Sequence, residues 1–233
     1  MTAKHLPFER MIANLILLAL FVFTILLFLQ VRNRFMSPKK FNLLSLGDSY
    51  TIGEGLPPEQ NFPGQLVDFF VRSGYMFAMP DVLAKTGWTA ENLLDAIKKT
   101  ELKEHYNFVT LLIGVNDQYQ GKSIRDYEQT FHVLLKIAIR FAGDNPKSVF
   151  VLKIPDWGQT PFAEGRDRAT ITTEIDAYNE VNRRITQEYG ANFVETVNAK
   201  DSSELTADQL HPSASVYYEW SLAVAHEIQK QLA

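Results

Sequence analysis

Short apolar runs alternate with amphipathic patterns along most of this 233-residue chain. The apolar runs lie at 41–46, in part of 75–84, and at 107–113, 148–154 and 192–197. Between them, apolar residues recur every three or four positions, a spacing typical of helices. Continuous apolar strands that alternate with helices indicate a parallel sheet covered on both faces. The sequence therefore predicts a three-layer α/β/α domain with a central parallel sheet, of flavodoxin-like type.

The N-terminal end carries a different pattern. Residues 11–29 contain no charge, and as a helix they span about 28 Å, close to the hydrocarbon thickness of a bilayer. We interpret them as a transmembrane anchor. A cleaved signal peptide is one alternative, although the run is long for one and no small-residue cleavage motif follows. A buried core helix is the other. The predicted organisation is an N-terminal tail at 1–10, a transmembrane anchor at 11–31, a linker at 32–40 and one domain at 41–233.

The composition excludes several classes of function. The net charge of −4 offers no basic surface for nucleic acid. The chain has no cysteine, which excludes disulfides, thiolate nucleophiles and cysteine metal sites. None of the five histidines lies in an HxxxH or HExxH arrangement, and no phosphate-binding glycine motif is present. The sequence therefore predicts no metal site.

Small and polar residues follow the ends of three predicted strands. Gly47-Asp48-Ser49 follows the first, Gly87 lies after the second, and Gly114-Val115-Asn116-Asp117 follows the third. The carboxyl ends of parallel strands meet at one edge of a sheet, where ligands bind. A further pair, Asp208 and His211, comes just before the last predicted helix. We expect these groups to surround one pocket.

Each of these residue types has a chemical use there. A serine hydroxyl such as that of Ser49 needs a base to take its proton, and histidine is the usual base. Asp208 precedes His211 by three residues, so its carboxylate can accept a hydrogen bond from the imidazole. The backbone N–H groups of Ser49 and Gly87 and the side-chain amide of Asn116 can stabilise an oxyanion.

Taken singly, each motif also fits an ordinary structural role. Gly, Asp, Asn and Ser are common turn residues. The proline after His211 suits the first position of a helix. Glu54 and Asp117 could serve as the paired carboxylates of a glycosidase, but that function leaves Ser49 and His211 unused. The order of the motifs, each at a strand end or helix start, favours the serine-hydrolase interpretation.

These motifs resemble those of the SGNH hydrolase superfamily, also called GDSL-type esterases and lipases. The resemblance covers roughly residues 41–230. It implies a flavodoxin-like α/β/α fold, a catalytic triad, an oxyanion hole and no metal or organic cofactor. The implied triad is Ser49, Asp208 and His211, and the implied oxyanion hole consists of Ser49, Gly87 and Asn116. Tyr50 stands where leucine is often seen in the family.

Four further residues are candidates for the substrate pocket: Asp48, Trp88, Asp117 and Trp157. Trp157 lies in a long loop at 154–167 that also contains Phe162. This loop either forms a wall of the pocket or is a surface loop held by its two aromatic rings.

The resemblance implies ester hydrolysis, with a small-molecule, lipid or polysaccharide ester as substrate. Deacetylation of a cell-surface polysaccharide and a catalytically idle, membrane-tethered binding domain are the alternatives. The basic residues that flank the apolar segment are Lys4 and Arg10 before it, and Arg32, Arg34, Lys39 and Lys40 after it. Their excess after the segment favours a cytoplasmic domain. A tethered hydrolase is more useful outside the cytoplasm, and we expect the domain on the exported side of a single-pass anchor.

Overall fold

The computed structural model describes residues 6–36 and 40–232, which belong to two compact units, 1–39 and 40–233. In the first unit, helix α1 covers Leu6–Met36. Its segment Arg10–Phe28 has a mean hydropathy of 2.8 and exposed side chains. This helix is long and apolar enough to cross a membrane, and a signal sequence has the same properties. Residues 1–5 of the predicted tail and 37–39 of the predicted linker lie outside the described residues.

The second unit contains seven strands and seven α-helices within residues 40–232. The strands are β1 (Lys40–Phe41), β2 (Leu43–Gly47), β3 (Met76–Phe77), β4 (Asp81–Ala84), β5 (Phe108–Leu112), β6 (Val149–Leu152) and β7 (Asn192–Val194). The helices are α2 (Ser49–Ile52), α3 (Phe62–Arg72), α4 (Ala90–Lys99), α5 (Val115–Tyr119), α6 (Ile124–Phe141), α7 (Arg168–Glu188) and α8 (Ala214–Leu232).

The main sheet has the strand order β4-β2-β5-β6-β7, and all of its strands are parallel. β2, β5 and β6 are buried along their whole length, as continuous apolar strands require. Helices α3 and α8 pack together as one group, and α4, α6 and α7 form another. The predicted parallel α/β fold is confirmed.

The predicted strand region at 75–84 differs in detail from the structure. It forms two separate strands, and β3 pairs with β1 in a small parallel sheet of its own. Pro80 lies between the two strands, and a proline lacks the N–H needed to continue a hydrogen-bonded ladder. The sequence pattern also did not predict the short helices α2 and α5, which are about one turn long.

Because all strands of the main sheet are parallel, it has one edge formed by their amino ends and one formed by their carboxyl ends. Lys40 leads into the amino end of β2, and Ser49 follows its carboxyl end. Helix α8 begins shortly after His211 and runs for 19 residues, about 28 Å at 1.5 Å per residue. The motifs recognised in the sequence therefore lie at the carboxyl edge, whereas the chain enters the unit at the amino edge.

Candidate active site

Ser49 is the first residue of α2, directly after β2 has ended. A Cβ atom on Gly47 would collide with the Thr51 side chain and the Leu112 carbonyl, so only glycine allows the chain to turn here. Asp48 caps the helix, and its Oδ1 accepts a 3.0 Å hydrogen bond from the backbone N–H of Tyr50. The buried strand and this turn together fix the position of the Ser49 hydroxyl.

His211 lies between Ser49 and Asp208. Its Nε2 is 2.9 Å from Ser49 Oγ, and its Nδ1 is 2.6 Å from Asp208 Oδ2. Ser49 and His211 are each only 5% exposed. The loop that carries His211 closes on itself, because the Thr206 N–H donates to the His211 carbonyl at 2.7 Å. The three side chains therefore form a chain of hydrogen bonds in which histidine can take the serine proton.

Asp208 is ionised over the whole ordinary pH range. Partial burial opposes its ionisation, but hydrogen bonds from the His211 ring, the His211 N–H, Thr206 and Leu210 outweigh this and lower its pKa to about 2. The anionic carboxylate accepts the Nδ1 proton of His211 and leaves Nε2 free to accept a proton from Ser49.

Gly87 and Asn116 lie beside Ser49 at the ends of neighbouring strands. Gly87 has a φ of +80°, and no atom lies within 4 Å of a Cβ built there. In the part of the chain that the structure describes, its N–H has no acceptor. The Asn116 Nδ2 donates to the Trp88 carbonyl at 3.0 Å and lies 3.4 Å from Asp48 Oδ2.

Two buried carboxyl groups lie beneath these donors. Burial raises the pKa of Asp48 to about 8, an effect reinforced by the nearby charge of Asp117. Burial also raises the pKa of Asp117 to about 6, although the Ala90 N–H donates to its Oδ2 at 2.9 Å. Asp48 is therefore mostly protonated at neutral pH. Asp117 accepts a hydrogen bond from the first N–H of α4.

A cleft of about 180 Å³ opens above Ser49. Its lining residues are Ser49, Tyr50, Thr86, Gly87, Val115, Asn116, Tyr119, Trp157, Phe162, Leu210 and His211. Of the four residues predicted for the substrate pocket, Trp157 lines this cleft. Asp48 and Asp117 are buried beneath it, and Trp88 contributes its carbonyl to Asn116.

Among the aromatic residues that line the cleft, the sequence indicated Trp157 and the loop with Phe162, but it did not indicate Tyr50 or Tyr119 as pocket residues. The Tyr50 ring packs against the His211 imidazole with centroids 4.8 Å apart. Tyr119, Trp157 and Phe162 form a cluster, the aromatic rim, with centroids 5.3 to 6.4 Å apart. The Phe162 N–H donates to the Gln209 carbonyl at 3.3 Å, which links this rim to the loop of His211. Apart from the Trp157–Phe162 contact, these contacts join residues far apart in sequence.

Structures with a similar fold belong to proteins of low sequence identity. Axe2, an acetylxylan esterase from Geobacillus stearothermophilus, is 19% identical with a TM-score of 0.62, over 81% of this chain and 94% of that chain. TesA is 19% identical with a TM-score of 0.63, over 81% and 98%. The psychrotrophic esterase EstA from Pseudoalteromonas sp. is 18% identical with a TM-score of 0.58, over 82% and 98%. At this identity the likeness shows a shared fold.

The sequence itself places the chain in a family. No curated protein matches it significantly. The family model of the GDSL-like lipase/acylhydrolase family matches residues 45–218, a segment that includes Ser49, Gly87, Asn116, Asp208 and His211. The chain therefore belongs to the GDSL-like lipase/acylhydrolase family, an SGNH-type hydrolase family.

Proposed function

We propose that this protein is a serine esterase that hydrolyses carboxylic esters through an acyl-enzyme on Ser49. The observation that carries the proposal is the continuous hydrogen-bonded chain Ser49–His211–Asp208, with distances of 2.9 and 2.6 Å. Ser49 and His211 line a cleft, so a substrate carbonyl can approach the serine oxygen. Membership of a lipase and acylhydrolase family supports the same reaction.

In the first step, Ser49 Oγ attacks the ester carbonyl while His211 Nε2 takes the hydroxyl proton. The resulting imidazolium stays paired with the Asp208 carboxylate and then gives its proton to the leaving alcohol. Water attacks the acyl-enzyme in the second step, again with His211 as base, and the carboxylic acid leaves Ser49. In both steps His211 accepts the proton at Nε2.

The developing oxyanion requires donors that are already in place. The N–H groups of Ser49 and Gly87 and the Asn116 side chain occupy the strand ends around the serine. Removing one such donor typically costs about 2.7–4 kcal/mol of transition-state stabilisation. The 3.4 Å contact from Asn116 to Asp48 is longer than an ordinary N–H···O hydrogen bond, so an oxyanion could replace it at little cost.

Deacetylation of a polysaccharide is a second candidate. The cleft volume of about 180 Å³ suits a short acyl group, and ligand pockets for larger molecules usually exceed about 300 Å³. An acetylxylan esterase shares the fold. Release of acetate from acetylated xylan, measured beside release from 4-nitrophenyl acetate, would distinguish a polysaccharide esterase from one for small esters.

The direct test uses a fluorophosphonate probe and intact mass measurement of the full-length chain in detergent. We expect one adduct on the wild-type protein and none on Ser49→Ala. Ser73→Ala is the matched control, because Ser73 is an exposed serine at the end of α3 and should not affect labelling. Labelling of Ser49→Ala at the wild-type rate would contradict the mechanism, and an unlabelled, folded wild-type protein would favour an idle binding domain.

We further propose that α1 is an uncleaved membrane anchor and that the esterase domain is exported. The uncharged, apolar surface of residues 11–28 supports the anchor, because a helix that is apolar all round must be buried in protein or lipid.

A further inference from the structure

Arg166 lies against the aromatic rim of the cleft. Its guanidinium carbon is 5.1 Å from the ring centroid of Tyr119, 5.4 Å from that of Trp157 and 5.9 Å from that of Phe162. These distances are within the range of cation–π contacts. Its Nη2 also donates to the Tyr119 hydroxyl at 3.1 Å. The three rings and this hydrogen bond hold a flexible side chain in one place beside the cleft.

The charge of Arg166 is not neutralised by any described residue. No carboxylate among the described side chains forms an ion pair with it, although other arginines in this part of the chain do, for example Arg72 with Asp68 and Arg183 with Glu195. Two neighbouring acids, Asp156 and Asp167, have other donors. Asp167 accepts from the Thr170 N–H and hydroxyl, and Asp156 accepts from the Gly158 N–H, Gln159 and Thr172.

Most of the guanidinium donors are also unused. Arginine has five N–H donors in a planar fork, and only the bond to Tyr119 uses one of them within the described structure. This fork matches the two oxygens of a carboxylate or phosphate group. A guanidinium already held by aromatic rings loses little conformational entropy when an anion binds.

We propose that Arg166 and the aromatic rim form a subsite for an anionic group of the substrate. The substrate is then an ester that carries a carboxylate or a phosphate, with its carbonyl at Ser49 and its charged group at the rim. Tyr119 and Phe162 are 45% and 39% exposed, so they offer an apolar surface between the two ends. This inference rests on the proposed esterase function and adds a substrate class to it.

The test compares neutral and charged esters that contain the same scissile bond, using the full-length chain in a neutral detergent. Phenyl acetate and 4-acetoxybenzoate place the charge on the alcohol side. Methyl hexanoate and monomethyl adipate place it on the acyl side. For at least one pair we expect the ratio of kcat/KM, charged over neutral, to fall about tenfold in Arg166→Gln, the size of one charge-assisted contact. Arg166→Lys should retain part of the preference, and salt should weaken it.

Arg140→Gln is the matched control. Arg140 is exposed in the last turn of α6, where the helix ends away from the cleft, and its substitution removes the same charge. We expect Arg140→Gln to leave both ratios unchanged. If Arg166→Gln also leaves both ratios unchanged while the neutral esters are hydrolysed, the subsite is wrong and the esterase function stands.

A binding measurement separates failure of the subsite from failure of the esterase function. Calorimetry with phenyl phosphate needs no turnover, and we expect weaker binding to Arg166→Gln than to the wild-type protein and to Arg140→Gln. If no ester is hydrolysed, the esterase function fails, and this measurement alone decides the subsite. Equal binding to all three proteins would overturn the proposal.

Discussion

The side-chain amide of Asn116 lies 3.4 Å from Oδ2 of Asp48, a carboxyl group that is completely buried. A second acceptor, the Trp88 carbonyl, is closer at 3.0 Å. Because burial raises the pKa of Asp48 to about 8, the group next to Asn116 is mostly a neutral acid at pH 7. A neutral acid competes only weakly for the amide, which keeps Asn116 available to an oxyanion.

The first prediction concerns stability and Asp48. The ordinary pKa is 3.8 and the folded-state value is about 8, so between these values the folded protein holds a proton that the unfolded chain has released. The free energy of unfolding should therefore fall as pH rises from about 4 to about 8. Asp48→Asn, which resembles the neutral acid, should show a smaller fall. Thermal unfolding at pH 5 and pH 8 measures this, and equal changes in both proteins would contradict it.

The second prediction concerns Asp208. Its carboxylate holds the Nδ1 proton of His211, and an amide in its place favours the wrong tautomer. Asp208→Asn should lower kcat by about 10⁴-fold. Thr206→Val removes the 2.8 Å hydrogen bond from Oγ1 to Asp208 and its longer 3.3 Å contact with the His211 carbonyl, and it should have an effect of about tenfold or less.

Asp201→Asn is the matched control for this change, because Asp201 is an exposed aspartate that caps a short 3₁₀-helix. It should retain full activity in the same assay. A fully active Asp208→Asn would show that the carboxylate does not orient His211.

The third prediction separates backbone strain from chemistry at Gly87. Alanine at a left-handed position costs roughly 1–2 kcal/mol. Gly74→Ala provides the control, since Gly74 has a φ of +87° and the same open surroundings but lies before β3 at the amino edge. Both variants should lose similar free energy of unfolding in urea. Only Gly87→Ala should also lose kcat/KM, and equal activities would exclude a role for Gly87 beside the substrate.

The fourth prediction concerns acyl-chain length. Trp157 is 3% exposed, lines the cleft, and donates from Nε1 to Gln118 at 2.7 Å. Trp157→Phe should enlarge the cleft. Each additional methylene of the acyl chain that is buried there should stabilise the bound transition state by about 0.8 kcal/mol. We therefore expect kcat/KM for 4-nitrophenyl hexanoate to rise relative to the acetate. Trp88→Phe makes the same replacement of indole by phenyl at a residue that does not line the cleft, and it should leave the ratio unchanged. An unaltered ratio in a folded Trp157→Phe protein would refute the pocket role.

The fifth prediction concerns the membrane. The chain has no cysteine, so Ser73→Cys creates a unique and exposed thiol. We expect a membrane-impermeant maleimide to label it in intact cells, with the apolar segment still present in the intact mass. Labelling only after lysis would place the domain in the cytoplasm, and a mass without residues 11–29 would indicate a cleaved signal.

Much of the site could be predicted because it follows from local pattern and chain direction. Apolar runs specify parallel strands, and parallel strands bring Ser49, Gly87 and Asn116 to one edge whatever the loops contain. Asp208 and His211 are three residues apart, so their contact is local as well.

Other features depend on packing between distant segments. The burial of Asp48, which converts an apparent pocket residue into a neutral acid below the cleft, requires the strands around it. The contacts of Arg166 and Trp157 with Tyr119 join the loop at 154–167 to the end of α5, and no local spacing marks them. The short helices α2 and α5 lack the repeated apolar spacing by which longer helices are recognised.

The entry of the chain at Lys40, at the edge opposite the cleft, has a practical consequence for handling the domain. A tag, a carrier protein or a bead joined ahead of Lys40 attaches at the end of the molecule that is remote from Ser49. Helix α8 runs away from His211, so an attachment after Leu232 is similarly placed. The domain at 40–232 should therefore keep its catalytic opening accessible when it is immobilised through either of its own ends, which suits it to surface-bound assays.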